Sequence, residues 1–261
     1  MDSQSLAHTE PLQLHTGSSL GSGGAAAVLV VVEFTVVVFQ DRRINMIFTK
    51  IDLKNWNRAE HFHHYMKVNP CIYSMTVKLD ITRLREANTK LYPAMLYGIT
   101  KIVNAHAEFR MALNEKGEPG YYNEMHPIYT IFHKETETFA NIWTEYQRDY
   151  GQFLSAYEKD LEAYGRETAM LAKPDVPANV FPVSMIPWVS FEGFNLNVKE
   201  PFSYLSPIFT MGKFQEENGK ILLPLSIQIH HGACDGFHVS RFIQELQELL
   251  NEMPFQNQEM G

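Results

Sequence analysis

The stretch from Leu223 to Phe242 constrains this chain more than any other. An apolar run of strand character ends abruptly at His230-His231, passes through Gly-Ala-Cys-Asp235-Gly236, and enters a helical stripe. From Phe237 to Met253, the residues Phe237, Phe242, Ile243, Leu246, Leu249 and Leu250 recur at helical spacing, with Glu and Gln opposite. Polarity is therefore concentrated at a strand end, where a loop can hold reactive groups rigidly and leave them reachable. An imidazole in such a place can abstract a hydroxyl proton near neutral pH, because its unperturbed pKa is about 6.5. Spacing alone leaves three readings open. His231 is a general base with Asp235 orienting it or serving the fold; or His230, His231 and Asp235 hold a metal; or the segment is a turn whose Asp235 caps the last helix. Adjacent histidines on a strand point to opposite faces and so rarely ligate one ion. The cap role for Asp235 is compatible with each reading.

Strand and helix signals fill the rest of the chain from Met46 on, with no internal repeat and no Pro/Gly/Ser linker to mark a boundary, so one domain over 46–261 is expected. Ile72 to Ile81 alternates and is rich in β-formers, and Tyr92 to His106 follows with Met95, Leu96, Ile99, Ile102 and Val103 at helical spacing. Phe109–Leu113 and Tyr121-Tyr122 flank a turn-rich Asn-Glu-Lys-Gly-Glu-Pro-Gly, a hairpin signal, and Pro127 to Phe132 continues as a strand. Asp149 to Tyr164 reads as an amphipathic surface helix. The second half is strand-dominated: Val180 to Phe191, Phe194 to Val198, Ser206 to Phe214 and Ile221 to Ile229, the last two as a hairpin. Strands that are grouped rather than strictly alternating with helices predict an α/β (α+β two-layer) fold, an open mixed sheet covered by helices on one side.

Composition narrows the function classes. With 22 Lys plus Arg against 30 Asp plus Glu, the formal charge is −8, which gives no electrostatic reason to expect nucleic-acid binding. Cys71 and Cys234 lie far apart without zinc-type spacing, so neither a disulfide framework nor a structural metal is indicated, and a reducing cytoplasm fits best. Ala25 to Phe39 is apolar except for Glu33 but falls short of the roughly 20 residues a membrane span needs. It also lacks the basic flank of a signal peptide, since Met1 to Gly24 holds no Lys or Arg and Arg42-Arg43 follows the apolar run. Residues 1–45 are read as an extension outside the domain, disordered or non-native, and no membrane partner is expected. His61, His63 and His64, on a short helix near Arg58, read as a solvated face and are assigned no metal.

The string His231-Gly-Ala-Cys-Asp235-Gly236 matches HxxxDG, shared by chloramphenicol acetyltransferases and the acyltransferase cores of 2-oxo acid dehydrogenase complexes. Its surroundings, Leu-Pro-Leu-Ser-Ile-Gln-Ile-His-His, Cys-Asp-Gly-Phe-His and Arg-Phe-Ile-Gln-Glu-Leu-Gln-Glu-Leu, resemble the chloramphenicol acetyltransferases closely. The resemblance runs over about 46–253, from Phe48-Thr-Lys-Ile-Asp-Leu-Lys-Asn-Trp56-Asn-Arg58 through Glu135-Thr-Glu-Thr-Phe139, Val183-Ser184-Met-Ile-Pro-Trp188, Gly193-Phe-Asn-Leu-Asn197 and Pro207-Ile-Phe-Thr210-Met-Gly-Lys213. The dehydrogenase cores normally carry a lipoyl-bearing domain and Pro/Ala-rich linkers, and residues 1–45 offer neither.

That resemblance implies a homotrimer with active sites between subunits, acetyl-CoA as co-substrate with no bound cofactor, and chloramphenicol as acceptor. It implies that His231 deprotonates the primary (3-) hydroxyl of chloramphenicol, whose oxygen attacks the thioester directly, with no acyl-enzyme. Ser184 matches the serine that stabilises the tetrahedral oxyanion, and Thr210 a threonine that assists through a bound water. Asp235 and Arg58 match a salt bridge that holds the loop behind the histidine. Tyr65, Phe139, Phe194 and Leu196 match acceptor-pocket positions, an apolar lining suited to a nitrophenyl ring. The chain departs from the family pattern at Gly232-Ala233, where Ala-Val is usual, which removes bulk and adds backbone freedom beside the base.

Overall fold

The computed structural model describes residues 46–196 and 203–252. In chain order these form β1 (Phe48–Lys50), α1 (Ala59–His63) continued by a π-helical turn (His64–Val68), β2 (Ile72–Asp80), α2 (Thr82–Glu86), α3 (Leu91–Ala105) and a 3-10 turn (Ala107–Arg110). There follow β3 (Met111–Leu113), β4 (Pro119–Tyr122), β5 (His126–His133), β6 (Thr138–Trp143) and α4 (Tyr150–Tyr164). β7 (Val180–Met185), β8 (Ile208–Met211), β9 (Gln215–Glu217), β10 (Lys220–His230) and α5 (Gly236–Glu252) complete them. The expected extension at 1–45, and Val198 and Met253 at the ends of two expected elements, lie outside the described residues.

A mixed sheet of seven strands runs in the order β2-β10-β8-β7-β5-β6, with β9 added to the start of β10. β5–β7 and β7–β8 are parallel and the other pairs antiparallel. A smaller sheet joins β1, β4 and β3. In β10, Leu223, Leu225, Ile227 and Ile229 alternate toward one face and are at most 2% exposed. They pack in one core with Leu79, Tyr129, Ile142, Val183 and Phe209 of neighbouring strands and with Leu96, Ile99, Phe153, Phe242 and Leu246 of α3, α4 and α5. Each of these side chains contributes about 1.5–3 kcal/mol on leaving water. The expected open mixed sheet with helices against one face is what these contacts describe.

Two expected strands are corrected. Strand pairing from Val180 stops at Met185 rather than Phe191. Ile186 N–H still donates to Met211 O at 2.8 Å, and the ladder ends there because the next residue, Pro187, has no N–H to carry it on. Residues 194–196, the described part of the second, form no strand, since their backbone bonds to side chains instead: Ser226 Oγ donates to Phe194 O and Leu196 N–H to Gln228 Oε1. The strand expected over Ser206–Phe214 is shorter, Ile208–Met211, and pairs antiparallel with β10 as expected, but Gln215–Glu217, expected in the turn, form β9, and the tight turn closes at Asn218 and Gly219, both at positive φ (53° and 75°).

Candidate active site

The last ladder contact between β2 and β10 pairs Ile72 with His230, and His231 N–H donates to Cys71 O at 2.9 Å. His231 is thus the first residue past the strand, held by its backbone and half-buried. The turn that follows is closed by Ala233 and Cys234 N–H groups, both donating to His230 O (2.9 and 3.2 Å). His230 faces away and braces the same turn, its Nδ1 accepting the Gly232 N–H at 3.0 Å. Burial, with the neighbouring His231 charge second, pushes the His230 imidazole down to about 4, so it is neutral and suited to accept that bond.

The His231 ring lies flat on Tyr65, centroids 3.8 Å apart and planes within 7°, and meets Tyr73 edge-on at 5.2 Å. Its Nδ1 is buried, with no hydrogen-bond partner among the described residues, so Nε2 is the nitrogen a substrate can reach. Tyr65 sits in the π-helical turn that continues α1, and Arg58 caps α1. Arg58 Nη1 donates to Asp235 Oδ2 at 2.6 Å, tying the element that carries Tyr65 to the turn that carries His231. Asp235 also caps α5, its Oδ1 accepting from Phe237 N–H (3.2 Å), and contacts His238 Nδ1 at 2.8 Å. Burial alone would raise the Asp235 carboxyl, but the Arg58 hydrogen bond and the charges of His238 and Arg58 outweigh it and hold it below the usual carboxylate range.

Ser184 and Thr210 form a second group. They are register partners on β7 and β8, and their hydroxyls lie 3.0 Å apart. Thr210 is in turn opposite Ser226 of β10, whose hydroxyl holds Phe194, while Gln228, two residues on, holds Leu196. These residues share the sheet face turned away from the helices. The pairing of Phe132 with Phe139, and of Tyr129 with Val183, places Phe139 on that face too, where it is 46% exposed. No hydrogen bond or ring contact joins this group to His231 among the described residues. Ser226 precedes His231 by five positions, so at about 3.4 Å per residue the two groups stand roughly 17 Å apart along β10.

A family model described as chloramphenicol acetyltransferase matches residues 46–247. The chain belongs to the chloramphenicol acetyltransferase family. A chloramphenicol acetyltransferase of Campylobacter coli is 61% identical over 207 residues, covering 79% of this chain and 100% of that protein. One of Clostridium perfringens is 58% identical over 206 residues, again 79% and 100%. A solved chloramphenicol acetyltransferase structure covers 78% of this chain and 100% of its own with a TM-score of 0.70 at 21% identity, a likeness of fold. Family membership makes this an acyltransferase.

For a member of this family, the structure brings four of the sequence-predicted residues together, His231, Tyr65, Asp235 and Arg58, and sets Ser184, Thr210, Phe194, Leu196 and Phe139 apart from them. Tyr65, expected in the acceptor pocket, stacks on His231. His61, His63 and His64 are exposed. Sequence reasoning passed over two residues. Tyr73 has no local signal, because only the β2–β10 register places it opposite Ile229 and beside His231. His238 did have one: it is three residues past the helix cap Asp235, the position from which a side chain reaches back to the cap.

Proposed function

We propose that the enzyme transfers the acetyl group of acetyl-CoA to the primary (3-) hydroxyl of chloramphenicol, and that residues 46–261 are the catalytic domain with 1–45 an extension to it. His231 Nε2 takes the hydroxyl proton, and the oxygen attacks the thioester carbonyl directly. The tetrahedral oxyanion is stabilised by the Ser184 hydroxyl, a donor aimed at charge that develops only in the transition state. Collapse expels the CoA thiolate, which recovers the proton from the imidazolium, so no acyl-enzyme and no bound cofactor enter the cycle. Family membership supports the two substrates. The observation that most supports the mechanism is the His231 imidazole, stacked on Tyr65 with Nδ1 buried, which leaves Nε2 as the nitrogen to act as base.

The separation of the two groups supports an oligomer with its active sites between chains. A reacting carbonyl must lie about 3 Å from both the nucleophile and the oxyanion donor. One chain cannot supply that across roughly 17 Å of β10. A second copy, laying its Ser184–Thr210 face against this chain's His231, can. We assign the closed assembly as a homotrimer, with Phe139, Phe194 and Leu196 of one chain lining the acceptor pocket that faces the neighbour's histidine. The reaction is that of a cytoplasmic enzyme with small-molecule partners, where acetyl-CoA is made and used.

The test mixes purified protein with acetyl-CoA and chloramphenicol and follows free thiol. Chloramphenicol-dependent release that is lost in His231→Ala, with assembly intact, is the expected result. CoA formation with dihydrolipoamide in place of chloramphenicol, followed chromatographically because that exchange consumes one thiol for each it frees, or near-normal turnover by His231→Ala, would overturn the proposal.

A further inference from the structure

We propose that His238 is a positioning residue for the base, the third member of a clamp in which Arg58 and His238 grip the two oxygens of Asp235. The inference rests on the reading of His231 as the base. Asp235 Oδ2 accepts from Arg58 Nη1 at 2.6 Å and Oδ1 faces His238 Nδ1 at 2.8 Å, so the carboxylate is fixed at both ends. The same Nδ1 lies 3.2 Å from the Asp235 backbone nitrogen, and it cannot serve both partners at once. If Nδ1 accepted from that N–H, its lone pair would face a carboxylate oxygen at the shorter distance. The shorter contact therefore places the proton on Nδ1 and makes His238 the donor to Asp235.

What the clamp holds is the angle between two elements. Arg58 leads into the helix bearing Tyr65, and Asp235 ends the turn bearing His231, so the 3.8 Å ring stack depends on the carboxylate staying where both grips meet. Without His238, the grip on Oδ1 falls to the longer cap bond from Phe237 N–H at 3.2 Å, and the carboxylate has more freedom to swing about its Cβ–Cγ bond with the turn following. His238, on the same oxygen at 2.8 Å, tightens that end. It is not there to fill the core: its side chain is 16% exposed and borders a cleft of about 380 Å3 that Arg58 also lines. Other charges near it come from the 3-10 turn, where Glu108 is already paired with Arg241, so Asp235 remains its acceptor.

The amide nitrogen of an asparagine sits the same number of bonds from Cβ as Nδ1, whereas that of a glutamine sits where Nε2 was. His238→Asn therefore keeps the donor, and His238→Gln and His238→Leu lose it. Thiol release is measured for the three variants with both substrates varied, and melting temperatures are recorded alongside. A displacement of the imidazole by less than about 1 Å is expected to lower kcat about tenfold in the Leu and Gln variants. Both KM values should stay within about twofold, because ground-state binding is untouched. His238→Asn should restore kcat to within about twofold of the parent. An Asn variant as impaired as the Gln variant, or a Leu variant with parental kcat, overturns the assignment; if the Leu variant fails to fold, the Asn and Gln pair decides. His231→Ala runs beside them: its retaining turnover defeats the base reading, while its silence with an unaffected His238→Gln defeats only the clamp.

Discussion

Replacing Asp235 with asparagine removes one charge and leaves the rest of the site nearly isosteric. Asparagine caps helices as well as aspartate does, so the start of α5 keeps its cap. What is lost is the ion pair with Arg58, since an amide NH2 in place of Oδ2 cannot accept from the guanidinium, while the remaining oxygen still faces Phe237 and His238 without its charge. A fully buried pair broken on one side costs about 3–5 kcal/mol. Here the side chains of Arg58 and Asp235 are 19% and 34% exposed, so solvent screens part of that. The net value of a hydrogen bond to a charged group, about 1.5–3 kcal/mol, is the better guide, and we take about 2. For a domain of this size that lowers Tm by about 4–8 °C. The sign of the pH dependence follows from the carboxyl, which Arg58 holds below its ordinary value in the folded state. Its contribution is then full above the unfolded value of about 3.9 and is lost as pH falls through the folded one. The gap in Tm between parent and Asp235→Asn should be complete at pH 7 and close below about pH 4. In thiol release the variant should lose about 10²-fold in kcat through a misplaced imidazole, with KM for acetyl-CoA unchanged. A gap absent at pH 7, or one that persists undiminished in acid, refutes the reasoning, and so does a loss of activity confined to KM.

Ser184→Ala should lower kcat about 10²–10³-fold with little change in KM, since it removes a donor felt only in the transition state. It should also destabilise by about 1–3 kcal/mol, because Thr210, 2% exposed, loses the partner 3.0 Å away; a variant that melts with the parent contradicts that pairing. Co-expressing His231→Ala with Ser184→Ala chains tests the shared site: random assembly leaves about a quarter of the interfaces with an intact histidine and an intact serine, and as much of the activity. Mixed assemblies no more active than either variant alone would place the whole site within one chain. Gly232→Ala should stabilise by about 0.4–1 kcal/mol through the unfolded chain. The position is not at positive φ, and an added Cβ would meet only ring atoms, of His230 (3.1 Å) and Phe62 (3.3 Å), which must give slightly; a lower Tm would show that they cannot.

The elements that were legible in the sequence are those whose burial is one-sided and whose ends carry a breaker. β2, β10 and α3 fit that description, as does α4, whose cap Asp149 accepts the Gln152 N–H. The misread segments have strand-like residues whose backbone is satisfied from elsewhere. Residues 194–196 are held by Ser226 and Gln228, a tertiary arrangement that no local pattern encodes. β6 went unseen because a charged turn with Glu137 at φ 54° precedes it and its Thr138–Trp143 run alternates only weakly. For the site, spacing alone left His231 as one reading among three. Asp235 both caps α5 and pairs with Arg58, a geometry compatible with the first and the third of those readings alike. The distance between His231 and Ser184 was invisible, because it depends on which residue of β10 stands opposite Thr210.

That register is what joins fold to function. Leu223, Leu225, Ile227 and Ile229 cement β10 to the helices, while Ser226, Gln228 and His230 between them are nearly as buried, at 2%, 7% and 1% exposure. Buried polar groups persist only with partners, and these take theirs from the segment at 194–196 and from the turn at Gly232. One strand thus builds the core with its apolar residues and orders the neighbouring loop and turn with its polar ones. A slip of a single residue would send the polar set into the core and the apolar set against the loop. His231 escapes this constraint because it stands one position beyond the ladder, where neither face is committed. The His231 ring can project from the strand end only because the residue before it is locked.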